Sequence, residues 1–516
     1  MAIMSNKMAV KTSARANKRR KNDAINIEEI DASQMNTAQT SASQTNTSQT
    51  SANITKISES YKIILFFLTL YALFVFTRQI KVPFNVEPNP YLDETPKGKN
   101  IKIKGTKYSE WNKTLDLRDV AITSDDLANL RKFRRISELA LDVSENNDLS
   151  PIADLAVLDG GALILESAES IDLSQLAGSK IHALTIRCSK EIDLSPLAGI
   201  ENLRKLNLEG NTMGNLSQLS GIPGLELSIA ASDISDLSQL SKLKNLRSIA
   251  LIGTQASDLT PLSGLVNLIG LTLEDNPIKD LTPLSGLINI KRIALKGSQI
   301  TDLSPLSGMA DLEEISLADI NTGDLTLLLG LANLKAVFLE GDSITDLTPL
   351  SQLSGLKKAS LKDVQASDLT PLAGLLNLRD LVIDNSQARD LSPLAECKNL
   401  DNLAVRNNRV SDLSPLRWLQ LSNLDLSNNE ISDLSHIAWY SNMETLNLNN
   451  NRISDLTPLK LLQFMLRLDV ENNEISDLSP VSGFQQLRLI SASGNPISAK
   501  QAKEYEKENP LCEVLQ

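Results

Sequence analysis

The chain has 516 residues, and only 3% of them are aromatic, while Leu, Asp, Asn and Ser recur at fixed positions. An ordinary globular core of this size would use more Phe, Tyr and Trp, so the composition favours a repeat built from aliphatic and small residues. The formal net charge is −12. Residues 1–60 hold eight Lys or Arg against five Asp or Glu, a charge of +3, so the rest of the chain carries −15. Such an acidic chain is an unfavourable partner for nucleic acid.

Residues 1–60 form a predicted disordered tail that is basic and rich in Ser, Thr and Gln. Seven basic residues, including the cluster NKRRK at 17–21, precede the first acidic residue, and a polar tract with almost nothing to bury follows. The cluster has the composition of a site for anionic lipid or nucleic acid, or of a targeting signal. The simpler interpretation is a solvated tail that helps to hold this end of the chain in the cytoplasm.

Residues 61–78, YKIILFFLTLYALFVFTR, are predicted to cross a membrane once. As a helix they span about 27 Å, close to the ~30 Å hydrocarbon core, with Lys62 and Arg78 able to reach the interface. The alternative, a buried helix of a soluble domain, lacks neighbouring helices to pack against. The basic tail favours a cytoplasmic N-terminus, with the array outside the cytoplasm. A Pro-rich linker over 79–110 is expected to hold the array away from the bilayer.

From residue 111 to residue 497 the sequence is periodic. The units SDLTPLSGLVNLIGLTLEDNPI (257–278) and KDLTPLSGLINIKRIALKGSQI (279–300) match position for position, and the spacing throughout gives 18 units. The first position of the L-x-L pair falls at Leu115, Leu139, Leu163, Leu184, Leu206, Leu227, Ile249, Leu271, Ile293, Ile315, Val337, Ala359, Leu381, Leu403, Leu424, Leu446, Leu468 and Ile490. Such self-similarity predicts a stacked solenoid.

Each recurring position has a physical role. L-x-L alternates buried and outward residues, as in a short strand with one buried face. A turn asparagine follows in several units, including Asn276, Asn408 and Asn451, where its amide can satisfy backbone groups that strand pairing does not reach. In D-L-[ST]-P-L, Ser or Thr as the N-cap and Pro at the first helical position are expected to begin a short helical turn.

These 22-residue units resemble the leucine-rich repeats of bacterial internalins and of protein phosphatase 1 regulators with similar repeats. The resemblance implies an α/β repeat fold: a solenoid with a parallel sheet on the concave face, short helical or 3-10 turns on the convex face, and protein binding on the concave face. The chain departs from internalins in its predicted N-terminal anchor. It also loses the turn asparagine in mid-array, where we expect less regular units, at Ser298, Ile320, Asp342, Val364 and Ser386.

The outward strand positions form two predicted binding columns on the concave face. The column inside L-x-L contains Ala250, Thr272, Ala294, Ser316, Phe338, Ser360 and Val382. The next column contains Glu209, Ile252, Glu274, Lys296, Glu340, Lys362, Asp384 and Arg406. Phe338 is the one aromatic residue among small side chains, and aromatic residues are favoured interface anchors, although single exposed ones are common. The mixed charges suit a protein partner better than nucleic acid or a membrane surface.

A second candidate surface is predicted on the opposite side. Trp418 and Trp439 replace the Gly of P-L-x-G-L in adjacent units, Leu461 does so in the next, and His436 stands nearby at a Pro position. Stacking would align these residues as an apolar ridge for binding a partner. The alternative is that they pack locally into the core, where one repeat shortens to 21 residues.

The sequence predicts no enzymatic activity, no cofactor and no metal site. Its two histidines, His182 and His436, are a dozen units apart, and no nucleotide-binding glycine loop occurs. The Asp of D-L, as at Asp258, forms a carboxylate ladder, but its Leu and Pro neighbours supply few oxygen ligands for Ca²⁺, so turn and cap roles are favoured. Cys188 and Cys397 lie ten units apart, on the order of 48 Å at strand spacing, which excludes a disulfide between them.

Together these features predict a single-pass membrane protein that presents a solenoid outside the cytoplasm for protein recognition or adhesion. The bilayer holds the chain through residues 61–78, and residues 498–516 supply a capping helix and tail. The alternative function is an intracellular scaffold or the regulatory subunit of an enzyme such as a phosphatase. The identity of the protein ligand does not follow from the fold, because one repeat architecture serves many partners.

Overall fold

The computed structural model describes residues 99–516, apart from 145–147, 211–213, 231–233, 321 and 342. The predicted tail (1–60), the predicted membrane span (61–78) and most of the predicted linker (79–110) lie outside the described residues. Within residues 99–516, none of the helices has both the length and the apolar character needed to cross a bilayer.

Most of the described chain is one parallel sheet whose strands follow chain order from β3 to β21. A separate antiparallel hairpin, β1–β2, precedes it. The strands are β1 Asn100–Ile103, β2 Thr106–Ser109, β3 Thr114–Leu117, β4 Glu138–Asp142, β5 Ala162–Ser167, β6 Ala183–Cys188, β7 Lys205–Glu209, β8 Glu226–Ala230, β9 Ser248–Ile252, β10 Gly270–Glu274, β11 Arg292–Lys296, β12 Glu314–Ala318, β13 Ala336–Glu340, β14 Lys358–Lys362, β15 Asp380–Asp384, β16 Asn402–Arg406, β17 Asn423–Asp425, β18 Thr445–Asn447, β19 Arg467–Asp469, β20 Leu489–Ser491 and β21 Glu513–Leu515. The helices are α1 Ser124–Asn129, α2 Ser150–Ala153 and α3 Ala499–Glu508, and short 3-10 turns lie between successive strands from β3 to β20.

The period of the sequence sets the register of the sheet. Leu271 pairs with Ile293 across β10 and β11, and Ile293 pairs with Ile315 across β11 and β12. Both L-x-L residues of each strand point into the stack, so that Ile293 is 2% exposed and Leu295 is fully buried. Strands β3 to β20 carry the 18 predicted positions, which confirms the solenoid with a parallel sheet and short 3-10 turns. Cys397 lies in the same core and is a free thiol, as are Cys188 and Cys512.

In most repeats the 3-10 turn is capped by the Asp of D-L, and not by the Ser or Thr that the motif led us to expect. The turn Thr260–Leu262 already includes the threonine, and Leu259 before it makes no side-chain cap. Asp258 Oδ1 instead accepts a hydrogen bond of 2.8 Å from the backbone N–H of Thr260. In the serine units the hydroxyl reinforces this bond, since Ser304 Oγ donates to Asp302 Oδ2 at 3.0 Å. The Asp ladder therefore has a backbone-capping role.

The turn asparagines satisfy the backbone at the other end of each strand. Asn451 Oδ1 accepts from the N–H of Ile431 at 3.0 Å, and its Nδ2 donates to the carbonyls of Leu426 and Leu448, each at 3.0 Å. Equivalent bonds across repeats come from Asn276, Asn408, Asn429, Asn473 and Asn495. Each amide joins two neighbouring repeats, so the ladder ties the stack together along its length.

The expectation that the units without a turn asparagine would be less regular is wrong. Strands β12 to β15 are each five residues long, whereas the units with Asn429, Asn451 and Asn473 have strands of three residues. Val364 and Ile320 occupy the turn position as apolar residues, with 0% and 5% of their surface exposed. The buried L-x-L residues therefore hold the strand register without the amide.

A second asparagine ladder, which the sequence analysis missed, supports the approach to each strand. Asn267 Nδ2 donates to the carbonyl of Lys244 at 2.8 Å, and Asn289 Nδ2 donates to that of Val266 at 2.9 Å. The same bond recurs at Asn333, Asn377 and Asn399. The signal was present in the sequence as the N of G-L-x-N-L, four residues before the first residue of L-x-L.

Both ends of the described array are covered by elements that are not repeats. Helix α3 begins at a capping box between Ser498 and Gln501, and it buries Ala502 and Tyr505. The hydroxyl of Tyr505 donates to the carbonyl of Val481 at 2.9 Å, which attaches the helix to the last repeat. At the other end, the hairpin β1–β2 takes up 100–109 of the predicted linker and contributes buried Ile103 to the core. These elements shield the apolar ends of the stack from water.

We predict that Asn451→Ala lowers the free energy of unfolding by about 1–3 kcal/mol, because it leaves buried backbone groups of two repeats without partners. The matched control is Ser298→Ala, at the equivalent turn position. Ser298 is buried, and within the described residues its hydroxyl has no hydrogen-bond partner, so we expect a change within about 0.5 kcal/mol. Chemical denaturation followed by circular dichroism measures both. Equal losses in the two variants would contradict the role of the amide.

We also predict that acid destabilises the array through the Asp ladder. Hydrogen bonds from the side chain and backbone of the Thr two residues later hold the pKa of Asp258, Asp280, Asp346 and Asp368 below the ordinary value. A lowered folded-state pKa adds stability above the unfolded pKa, and that stability is lost as the pH falls through the folded pKa. The fourfold Asp→Asn variant keeps the acceptor oxygen but cannot titrate. Its urea midpoint should therefore fall less than that of the parent chain between about pH 6 and pH 3; parallel curves would refute this.

Candidate functional site

The inner face of the sheet presents its outward side chains in columns. Strand register brings equivalent residues of successive repeats side by side at about 4.8 Å. We call the residues inside L-x-L the floor column, which contains Ala250, Thr272, Ala294, Ser316, Phe338, Ser360 and Val382. Its side chains are small except for one, so the floor is shallow and open on both sides of Phe338.

Phe338 is half-buried on the floor, between Ser316 and Ser360 on the neighbouring strands. The ammonium of Lys358 lies 5.8 Å from the centre of its ring, within the range of a cation–π interaction. The ring is thus held by a charge from the next repeat while part of it remains accessible. This placement agrees with the outward position that the sequence predicted.

The second predicted column, here called the paired column, is largely neutralised by contacts within itself. The Nζ of Lys296 lies 3.6 Å from the Oε1 of Glu274, and the Nζ of Lys362 lies 2.7 Å from the Oε1 of Glu340. The Nε of Arg406 lies 3.8 Å from the Oδ2 of Asp384. Glu209 forms a similar pair with Arg187 at 2.7 Å. Opposite charges on adjacent strands attract one another, so these groups are already engaged before any ligand arrives.

One residue of the paired column is not accessible enough for the contact role proposed from the sequence. Ile252 occupies the expected register position beside Glu274, but only 9% of its surface is exposed. An apolar side chain at an outward position gains by folding down onto the neighbouring repeat, away from water. Its candidacy as a binding residue is therefore corrected.

Two columns that the sequence analysis passed over lie at the start of the strands, and we call them the edge columns. They occupy the two positions before each L-x-L pair. In the repeats of β11 to β15, the first contains Lys291, Glu313, Lys335, Lys357 and Arg379, and the second contains Arg292, Glu314, Ala336, Lys358 and Asp380. These ten positions hold six cations and three carboxylates. Aligning the repeats at these positions would have found the excess of charge.

One carboxylate of the edge columns, that of Glu313, is paired with cations on both sides. Glu313 lies between Lys291 at 3.1 Å and Lys335 at 2.7 Å, and the hydrogen bond from Lys335 is the main reason that the pKa of Glu313 is lowered. Burial raises the pKa of Glu314, although the charges of Arg292 and Lys358 oppose the shift. The net charge along this edge of the sheet is therefore positive in a chain that is acidic as a whole.

The predicted apolar ridge is exposed to solvent. Trp418, Trp439 and Leu461 are 69%, 63% and 50% exposed, so the alternative of local core packing is wrong. The core position is filled by the next residue in each repeat, which is Leu419, Tyr440 or Leu462. Phe464 and Leu466, in the same repeat as Leu461, are also 54% and 42% exposed, and the guanidinium of Arg417 lies 4.9 Å from the Trp418 ring centre.

The comparisons with known proteins agree with this geometry. The leucine-rich repeat family profile matches residues 415–508, which include the ridge and the last repeats. The array is a leucine-rich-repeat solenoid. Its repeats resemble those of internalins, as the sequence indicated. A search of curated protein sequences returned no match. Among the residues that the structure describes, no group of His, Cys, Asp or Glu has the geometry to hold a metal ion.

Solved structures of other leucine-rich-repeat proteins are similar to this one. A leucine-rich-repeat protein of Leptospira interrogans is 21% identical, with 71% of this chain and 98% of that chain covered and a TM-score of 0.58. The ectodomain of the Arabidopsis thaliana receptor kinase GASSHO1/SCHENGEN3 is 18% identical, with 85% and 54% covered and a TM-score of 0.52. An internalin (inlF) of Listeria monocytogenes is 28% identical, with 57% and 82% covered and a TM-score of 0.44.

We predict opposite outcomes for two adjacent residues of the leucine-rich-repeat ridge. Trp439→Ser should change the free energy of unfolding by no more than about 0.5 kcal/mol, because the side chain is exposed. Tyr440→Ala should cost about 3–5 kcal/mol, because Tyr440 is fully buried and its hydroxyl donates to the carbonyl of Leu416 at 2.6 Å. Denaturant unfolding of both variants provides the measurement. A large loss for Trp439→Ser would show that the ridge is part of the core.

Proposed function

We propose that this leucine-rich-repeat protein recognises a protein ligand through the concave face of its array. The observation that carries the proposal is the open floor column, in which small side chains surround one half-buried aromatic residue, Phe338. Such a surface admits a partner's chain close to the sheet and offers one apolar anchor. The fold supports this use, since the GASSHO1/SCHENGEN3 ectodomain was solved in complex with Casparian strip integrity factor 2.

We further propose that the array is anchored in a membrane by residues 61–78 and stands outside the cytoplasm. Support comes from the apolar sequence of that segment and from the basic residues of the tail before it. The chain would then consist, in order, of a tail over 1–60, the membrane anchor, a linker that ends before the hairpin β1–β2, and the capped array. The anchor would keep the recognition surface at the membrane.

The residues proposed to contact the ligand differ in how well the structure supports them. Phe338 is the strongest, because it is both accessible and central on the floor. The members of the paired column remain candidates at the rim, namely Glu209, Glu274, Lys296, Glu340, Lys362, Asp384 and Arg406. Rim charges of this kind affect the rate and selectivity of association more than its strength. Trp418 and Trp439 form a separate apolar contact surface, because large exposed tryptophans are favoured interface residues.

Protease treatment of intact cells that express a C-terminally tagged chain tests where the array is presented. We expect loss of the tag without lysis. A tag that is protected until lysis, on a membrane shown to be accessible to the protease, would instead favour the intracellular scaffold or enzyme regulator.

The same cells test recognition by photocrosslinking, with p-benzoylphenylalanine in place of Ser360 on the floor or of Ser263 on the exposed 3-10 side. Adducts formed equally at both positions, or at neither, would count against concave-face binding.

A further inference from the structure

The edge columns concentrate positive charge in a chain of formal net charge −12. Across the repeats of β11 to β15, the ten edge positions carry six cations and three carboxylates, a surplus of three. The paired column of the same strands adds nothing to this surplus, because its two cations, Lys296 and Lys362, equal in number its two carboxylates, Glu340 and Asp384. Elsewhere on the array, the Asp ladder lines the 3-10 turns with negative charge. An anionic ligand is therefore repelled from most of the surface and attracted to one edge.

Two neighbouring cations of this edge, Lys357 and Arg379, are not engaged in ion pairs within the described part of the chain. Among the residues that the structure describes, no carboxylate lies within 4.0 Å of the charged groups of Lys357 or Arg379, whereas Lys335 is paired with Glu313. Backbone bonds continue the sheet through this column, since Lys357 N–H donates to Lys335 O at 2.9 Å and Arg379 N–H donates to Lys357 O at 2.8 Å. The cations thus stand one strand apart, about 4.8 Å along the solenoid axis.

The floor beside these cations has room for a polypeptide backbone. Ser316 and Ser360 flank Phe338, and the ring of Phe338 is linked to the edge through the ammonium of Lys358 at 5.8 Å. Five strands at about 4.8 Å extend over roughly 19 Å, which an extended peptide of about six residues spans. The cations along one border and the single ring on the floor complement a peptide in which most side chains are carboxylates and an occasional one is apolar.

We infer that the edge columns and the floor column of β11 to β15 bind an acidic polypeptide segment that lies extended across the strands. The inference rests on the proposed recognition function and names the chemical class of its ligand. Lys357 and Arg379 form the main ion pairs with the segment, and Phe338 contacts its apolar side chains. A nucleic acid fits less well, because a phosphate backbone longer than these five strands would also meet the acidic remainder of the chain.

Fluorescence anisotropy of labelled hexaglutamate on the full chain, purified in detergent micelles, tests the inference. We expect Lys357→Glu with Arg379→Glu to weaken binding by roughly tenfold or more, because each reversal replaces an attraction with a repulsion. The matched control is Lys279→Glu with Arg389→Glu, an equal change of charge at exposed positions beside the Asp ladder. This control should retain most of the affinity. The neutral pair Lys357→Gln and Arg379→Gln should show a smaller loss with the circular dichroism spectrum of the parent chain.

Several results would overturn the inference. Equal losses in the reversal and control variants would show a general field effect without a site, and absence of hexaglutamate binding to the parent chain would exclude the acidic class. Tighter binding of a labelled oligonucleotide, lost in the same Lys357 and Arg379 variants, would reassign the edge to nucleic acid. Peptide binding does not report on membrane presentation, and protease access does not report on charge. Failure of this inference is therefore distinguishable from failure of the proposed function.

Discussion

Each repeat must bury its two L-x-L side chains against the repeats on either side, and the other features of the array follow from this requirement. A single strand of five residues has no core of its own, so Ile293 is buried only because Leu271 and Ile315 stand in register beside it. Once the stack forms, the ends of each repeat hold backbone groups that strand pairing leaves unsatisfied. The turn asparagines, the second asparagine ladder and the Asp caps meet this need at three different points of the repeat. Polar side chains therefore act here as parts of the backbone scaffold.

The same register decides the chemistry of the surface. Because equivalent positions meet at strand spacing, one residue type repeated along the chain becomes a continuous column, and alternating signs become ion pairs. The paired column has alternating signs and therefore forms ion pairs. Surface pairs of this kind contribute little to stability, and they leave little free charge for a ligand. The edge columns differ because Lys357 and Arg379 follow one another without an intervening carboxylate. Local charge, and not the net charge of the chain, then determines which ligand this part of the array attracts.

The array thus has two surfaces of different character. The concave face combines small side chains, one ring and a positive edge, which suits selective binding of an extended segment. The ridge of Trp418, Trp439 and Leu461 is apolar and convex, and it exists because the residue after each of them fills the core position. Its exposure is costly in water unless a partner covers it, and large exposed apolar patches commonly mark interaction sites. The two surfaces can be altered independently, since neither contributes to the burial that holds the stack together.

The fold, the number of repeats and their register could be predicted from the sequence, because the burial of L-x-L at a fixed period leaves one way to stack. The sequence also placed Phe338 and the paired column on the outward face, because strand alternation follows directly from the spacing. It misassigned the cap of the 3-10 turns, since the motif shows which polar residues are present but not which oxygen reaches the N–H. It expected irregular repeats at Val364, whereas packing held the register without the amide. The folded stack was needed to show that Trp418 points outward and that, among the described residues, Lys357 and Arg379 have no carboxylate within 4.0 Å. Both outcomes depend on contacts between residues that are about 22 positions apart in the chain.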